Sequence, residues 1–130
     1  MIYNMNTPAF FLFTGIGSLL YSLYAGSRYY ALLGVNLITS SKAKKMIKSG
    51  EIKNVIDVRT NIEYNMGHYP KSKNIPVTEF TKDKLKKYNI QDGILVYCNT
   101  GSRARLGAEY LTGYGFTKVY YIDGTYTTLM

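Results

Sequence analysis

Cysteine occurs once in the 130-residue chain, at Cys98, within Val96-Tyr97-Cys98-Asn99-Thr100-Gly101-Ser102-Arg103-Ala104. A lone thiol forms no internal disulfide and excludes a zinc site built from several thiolates. It is either a small buried hydrophobe or a reactive group. Its neighbours favour the reactive role. Ile94 to Tyr97 is an apolar run of strand length that ends at the cysteine, and a helix is predicted to begin near Ser102. A loop at such a junction can curl its N–H groups around the sulfur, and the positive end of the helix favours negative charge there. Gly101 permits a backbone conformation closed to other residues. Arg103 adds a permanent positive charge and a fork shaped for an oxyanion. The chemistry of such an arrangement is nucleophilic attack by a thiolate.

The elements that must position this loop follow from the patterning. From about Val35, short strands alternate with short helices. Val35 to Ile38 reads as a strand. Ser40 or Ser41 is placed to cap a helix whose inner face carries Ala43, Met46 and Ile47, with Gly50 at its end. Val55 to Arg59 reads as a second strand. Thr60 and Glu63 form a capping-box pattern for a short helix ending at Gly67. Asn74 to Val77 is extended, Thr81 caps a helix over Lys82 to Tyr88, and Asp92-Gly93 is a turn. After the cysteine loop a helix runs to about Gly113 with Ala104, Ala108 and Leu111 inward, and Val119 to Ile122 is the last strand. Alternation of this kind implies an α/β fold, a mostly parallel sheet covered by helices on both sides, with ligands bound beyond the C-terminal strand ends. Cys98 occupies such a position.

The first 27 residues contain no charge, and Ala9 to Ala25 is long enough, with a little extension, to span a bilayer of about 20 helical residues. No lysine or arginine precedes this run, whereas Arg28, Lys42, Lys44, Lys45 and Lys48 follow it. The expectation is an uncleaved single-pass anchor over residues 1–33, followed by one domain over 34–130 on the cytosolic side. The formal charge of +8 rests mainly on lysines that punctuate the predicted helices. With four arginines and no aromatic–arginine face, a nucleic-acid partner is not expected.

Three ordered segments give the domain a resemblance to the rhodanese homology family. Ile56 to Pro70 (I-D-V-R-T-N-I-E-Y-N-M-G-H-Y-P) is similar to the family's D-V-R, E-[YF] and G-H-I-P pattern. Asn74-Ile75-Pro76 resembles its A-x-N-I-P segment, and Val96 to Ala104 resembles its active-site loop. The likeness covers about Val35 to Tyr126. It implies a three-layer α/β fold and a sulfurtransferase in which Cys98 takes a sulfane sulfur from a donor such as thiosulfate. Amides of Asn99, Thr100, Gly101, Ser102 and Arg103 would hold the resulting persulfide, and a thiol or cyanide would then accept the sulfur. It implies no metal or organic cofactor. Asp57, Arg59 and His68 become supporting residues that orient loops. The six residues from Cys98 to Arg103 resemble the sulfurtransferase branch rather than the phosphatase branch, whose loop is one residue longer. A binding or sulfur-sensing module with little turnover remains the alternative. Two departures stand out. Ala104 replaces a hydroxyl residue, and Thr125 replaces a glycine near the C-terminus, where a less well packed or partner-covered edge is expected.

Overall fold

The computed structural model of the protein describes residues 34–130, together with Ser18. The expected anchor over 1–33 otherwise lies outside the described residues. Among the described residues, no helix is long and apolar enough to cross a membrane.

Five strands build one sheet: β1 (Val35–Leu37), β2 (Ile52–Asp57), β3 (Ser72–Asn74), β4 (Gly93–Tyr97) and β5 (Val119–Tyr121). Their order is β1-β5-β4-β2-β3, and every pairing is parallel. Among the described residues, four helices connect them: α1 (Ser40–Ser49), α2 (Asn61–Asn65), α3 (Lys82–Leu85) and α4 (Ser102–Gly113). Short 3₁₀ turns lie at Val77–Glu79 and Tyr126–Leu129. A parallel sheet covered on both faces needs strands that are apolar on both sides, and β4 is buried at all five positions.

Side chains alternate along β4, so the core divides by face. Ile94, Val96 and, just beyond the strand, Cys98 join Ala104, Ala108 and Leu111 of α4 with Phe80, Leu85 and Phe116. Leu95 and Tyr97 join Ala43 and Met46 of α1 with Ile38, Ile52, Val55, Ile122 and Leu129. Close approach of α4 to the sheet depends on Gly107, where an added Cβ would press on Val58, Val96 and Phe80.

Several boundaries differ from those read in the sequence. Thr39, not Ser40 or Ser41, caps α1, its hydroxyl accepting from the Lys42 amide at 3.1 Å. The left-handed residue at the other end is Gly50, as expected. Strand β2 starts at Ile52, because Ile52 is buried and registers with Gly93 across an irregularity before Asn54. It ends at Asp57, because the Arg59 amide turns back to the Asp57 carboxylate at 2.9 Å instead of continuing the ladder. The Thr60–Glu63 capping box is present in full. Helix α3 stops at Leu85, and the Tyr88 amide closes onto the Leu85 carbonyl in a tighter turn. Asn74 ends β3, and Val77 opens a 3₁₀ turn rather than extending the strand.

The C-terminal edge is packed by the chain itself, contrary to the expectation from Thr125. Leu129 is buried beside α1, and the Ser40 hydroxyl donates to Thr128 Oγ1 at 2.7 Å. Tyr126 lies against Gly67, whose φ of 151° suits glycine. An added Cβ at Gly67 would collide with the Tyr126 hydroxyl. Gly67→Ala should therefore destabilise the domain by about 1–3 kcal/mol, read as a lower urea midpoint at unchanged m. Combined with Tyr126→Ala, it should cost less than the sum of the two single losses, because the clash is then gone.

Candidate active site

Cys98 is the first residue past β4, and α4 starts four residues later. Between them the chain turns at Gly101, with φ of 94°. A side chain there is excluded twice, by that conformation and by Asp123, whose Cα and Cβ would lie 2.9 Å from an added Cβ. No side chain of the N-cap residue satisfies the start of α4. The sulfur does so instead. The Gly101 amide donates to Cys98 Sγ at 3.1 Å, and the Ala104 amide donates to it at 3.3 Å. The first N–H groups of a helix have no partner within the helix, so an acceptor placed there is favoured, more so when anionic. Cys98 is fully buried, with apolar neighbours on the α4 face of the sheet.

The loop's other side chains lead to one carboxylate. Arg103 Nη1 and Nη2 donate to Glu63 Oε1 and Oε2 at 2.6 and 3.0 Å. Asn99 Nδ2 donates to Oε2 at 2.9 Å. The Thr60 amide and hydroxyl both donate to Oε1 at 3.1 Å. Glu63 thus completes the cap of α2 and fastens the cysteine loop to it. The Arg103 guanidinium, with the Thr60 donors, holds its carboxyl down at about 2. The same ion pair raises the Arg103 pKa. Thr100 and Ser102 are exposed and have no side-chain hydrogen bond among the described residues.

Asp57 and Arg59 form a second pair, buried at 0% and 5% exposure. Arg59 Nη2 donates to Asp57 Oδ2 at 2.6 Å and to the Gly67 carbonyl at 2.7 Å. Its guanidinium also lies 5.7 Å from the Tyr97 ring centre and 5.2 Å from that of Tyr126. The hydrogen bonds to Asp57 raise the Arg59 pKa. Burial pushes the Tyr97 phenol up to about 12, so it stays neutral and donates to Ser72 Oγ at 3.1 Å, the Ser72 hydroxyl itself donating to the Tyr69 carbonyl at 2.6 Å. Asn74 Nδ2 bridges the carbonyls of Asp57 and Arg59 at 3.0 and 2.9 Å. His68 stacks on Tyr64, and its Nδ1 donates to the Tyr64 carbonyl at 2.8 Å. None of these contacts of His68 reaches the cysteine loop.

The structure brings Cys98, Asn99, Gly101 and Arg103 together, and the contacts of His68 are with Tyr64. Two participants were missed in the sequence. The second amide on the sulfur belongs to Ala104, one residue beyond the segment Asn99 to Arg103, because the loop and the first helical turn share the work. Glu63 was read as a capping residue alone. The signal was available in its charge opposite Arg103, but spacing along the chain does not reveal a contact across 40 residues. The fork of Arg103, expected to face an oxyanion, is occupied by Glu63.

The folded Glu63 carboxyl ionises at lower pH than the unfolded one. Its contribution is therefore complete above 4.5 and lost as pH falls toward about 2. The pair is partly solvated, with side-chain exposures of 35% and 29%. Wild type should therefore exceed E63Q in unfolding free energy by about 1–2 kcal/mol near pH 6, the difference shrinking below 4.5 and closing at about 2 in urea titrations.

Residues 39–129 match the rhodanese-like domain. A tRNA uridine(34) hydroxylase of Buchnera aphidicola subsp. Baizongia pistaciae is 34% identical over 97 residues, which are 68% of this chain and 31% of that protein. The putative sulfur carrier protein YrkF of Bacillus subtilis is 34% identical over 76 residues, 58% of this chain and 40% of that one. The chain therefore spans less than half the length of these curated relatives. The crystal structure of a rhodanese-like domain protein from Staphylococcus aureus superposes with a TM-score of 0.63 at 26% identity, covering 73% of this chain and 91% of that one. Parallel topology, a thiol at the end of the central strand and a match over most of the described residues agree, and the chain belongs to the rhodanese-like domain family.

Proposed function

We propose that the protein is a sulfurtransferase that carries a sulfane sulfur on Cys98. The reading rests on one observation, the sulfur held by the Gly101 and Ala104 amides at the start of α4. Donors fixed in place before reaction favour a thiolate and then a persulfide anion at that position. The thiolate attacks the outer sulfur of a donor such as thiosulfate or a persulfide, the donor's S–S bond breaks, and the leaving group departs with the electron pair. A thiol, a protein thiol or cyanide then attacks the outer sulfur of the Cys98 persulfide and restores the thiolate. Two half-reactions on one nucleophile give ping-pong kinetics.

Full burial of Cys98 favours a second reading, a sulfur-holding module with little turnover. In this conformation the sulfur is covered, so a donor reaches it only when the covering groups move. Dephosphorylation is disfavoured by the six-residue loop and by the engagement of Arg103 with Glu63. Thiosulfate or an organic persulfide should add one sulfur to wild type by intact mass and none to Cys98→Ser. Steady thiocyanate formation from cyanide selects the enzyme, whereas loading without turnover selects the module.

The uncharged N-terminal run, with basic residues only after it, supports an anchor over residues 1–33 that holds the domain on the cytosolic side. In sealed inverted vesicles a C-terminal tag should be digested by added protease. A protected tag would reverse the orientation, and recovery of the full chain in the soluble fraction would remove the anchor.

A further inference from the structure

Helix α1 carries four lysines, Lys42, Lys44, Lys45 and Lys48, and no acidic residue. Lys44 and Lys48 stand four apart on one helix face, where like charges repel. Lysines elsewhere have a carboxylate beside them: Lys53 pairs with Asp92, Lys84 with Glu79 and Lys86 with Asp83. Among the described residues the ammonium groups of Lys48 and Lys71 have no such partner. Lys44 Nζ donates to the Met130 main-chain oxygen at 3.0 Å.

Lys44, Lys48 and Lys71 edge one groove of about 360 Å³, whose remaining lining is Ile47, Tyr69 and Leu129. These three apolar residues pack on the α1 side of the sheet, whereas Cys98 lies in the core on the α4 side. The groove is therefore separate from the cysteine loop. No carboxylate side chain lines it. A terminal carboxylate on Met130 would offset Lys44, which leaves two cations, one from α1 and one from the segment before β3. Two ammonium groups from separate elements are matched by one dianion between them, and lysine suits phosphate as a point charge. A phosphomonoester carries about −1.5 to −2 near pH 7. The apolar wall beside the cations fits a carbon body joined to that phosphate, and the volume falls in the range of small-molecule sites, about 300–1,000 Å³.

We infer that this groove is a binding site for a phosphomonoester with an aromatic or aliphatic body. The phosphate lies between Lys48 and Lys71, and the body rests on Ile47, Tyr69 and Leu129. A soluble aryl phosphate and the headgroup of a phosphatidate lipid offer the same chemistry.

The test uses the full chain in nonionic detergent with 1-naphthyl phosphate as probe. Binding is read from the probe's fluorescence and, residue by residue, from protection of lysines against acetylation by mass spectrometry. Lys48 and Lys71 should be protected, and Lys82 and Lys118 should not. Lys48→Ala combined with Lys71→Ala should weaken binding at least tenfold; both side chains are exposed, so the core is untouched. Lys82→Ala combined with Lys118→Ala removes the same charge and should change binding less than twofold. 1-Naphthalenesulfonate, with the same rings and a single charge, should bind at least fivefold more weakly. Equal losses in the two double variants would reduce the effect to net charge and overturn the inference. Phosphatidylcholine vesicles with and without phosphatidate separate the two sources: protection of Lys48 and Lys71 that requires phosphatidate assigns the lipid headgroup, and protection by the soluble probe alone assigns a soluble ligand. Absence of protection by either overturns the site.

Discussion

A sulfur atom stands where a helix cap normally stands, and much of the site's construction follows from it. The opening amides of α4 lack partners within the helix and require an acceptor. Serine, threonine or aspartate usually supplies one from the N-cap position. Here that position is Gly101, which has no side chain, and the thiol three residues earlier fills the role. Two consequences follow. The fold gains a satisfied helix end, and the sulfur gains a fixed orientation with donors already aimed at it. The same geometry requires the left-handed turn at Gly101 and lets Asp123 pack closely against it.

Around this centre the structure uses two arginine–carboxylate pairs in different settings. Asp57–Arg59 is buried, and each charge is satisfied by further contacts: the Arg59 amide, the Gly67 carbonyl and two flanking tyrosine rings. Burying charge is tolerable only with such partners, and removing one member would leave the other stranded. Glu63–Arg103 is partly solvated and is worth less as an ion pair. Its value is geometric, because a single carboxylate collects donors from both the α2 cap and the cysteine loop. The family's three sequence segments thus meet at the strand ends: the first supplies both carboxylates and Arg59, the second Asn74, the third the thiol and Arg103.

The sequence was readable where one rule governs locally. Alternating strands and helices, the Thr60–Glu63 box, Gly50 as a left-handed stop and the inward face of α4 needed only neighbours a few residues apart. The single cysteine in its loop marked the site because strand end, glycine and helix start lie in one short run. Long-range electrostatics was not readable in this way. Glu63 obeys a local rule so completely that its second task was hidden, and Arg103 was assigned to a ligand because its partner lay far away in sequence. The C-terminal edge was misjudged for a similar reason. Thr125 departs from the family pattern, but Tyr126 and Leu129 provide the packing through contacts with α1 and the loop at Gly67.

The strand order carries a kinetic consequence. Among the described residues, β1 pairs only with β5, matching Val35 with Val119 and Leu37 with Tyr121. On a ribosome adding about 5–20 residues per second, β1 must wait several seconds for its only neighbour to be made. During that interval β1 offers unpaired amides and carbonyls, the kind of edge that recruits other chains. Completion of the sheet therefore waits for synthesis of β5, and a chain stalled before Val119 would leave that edge unprotected.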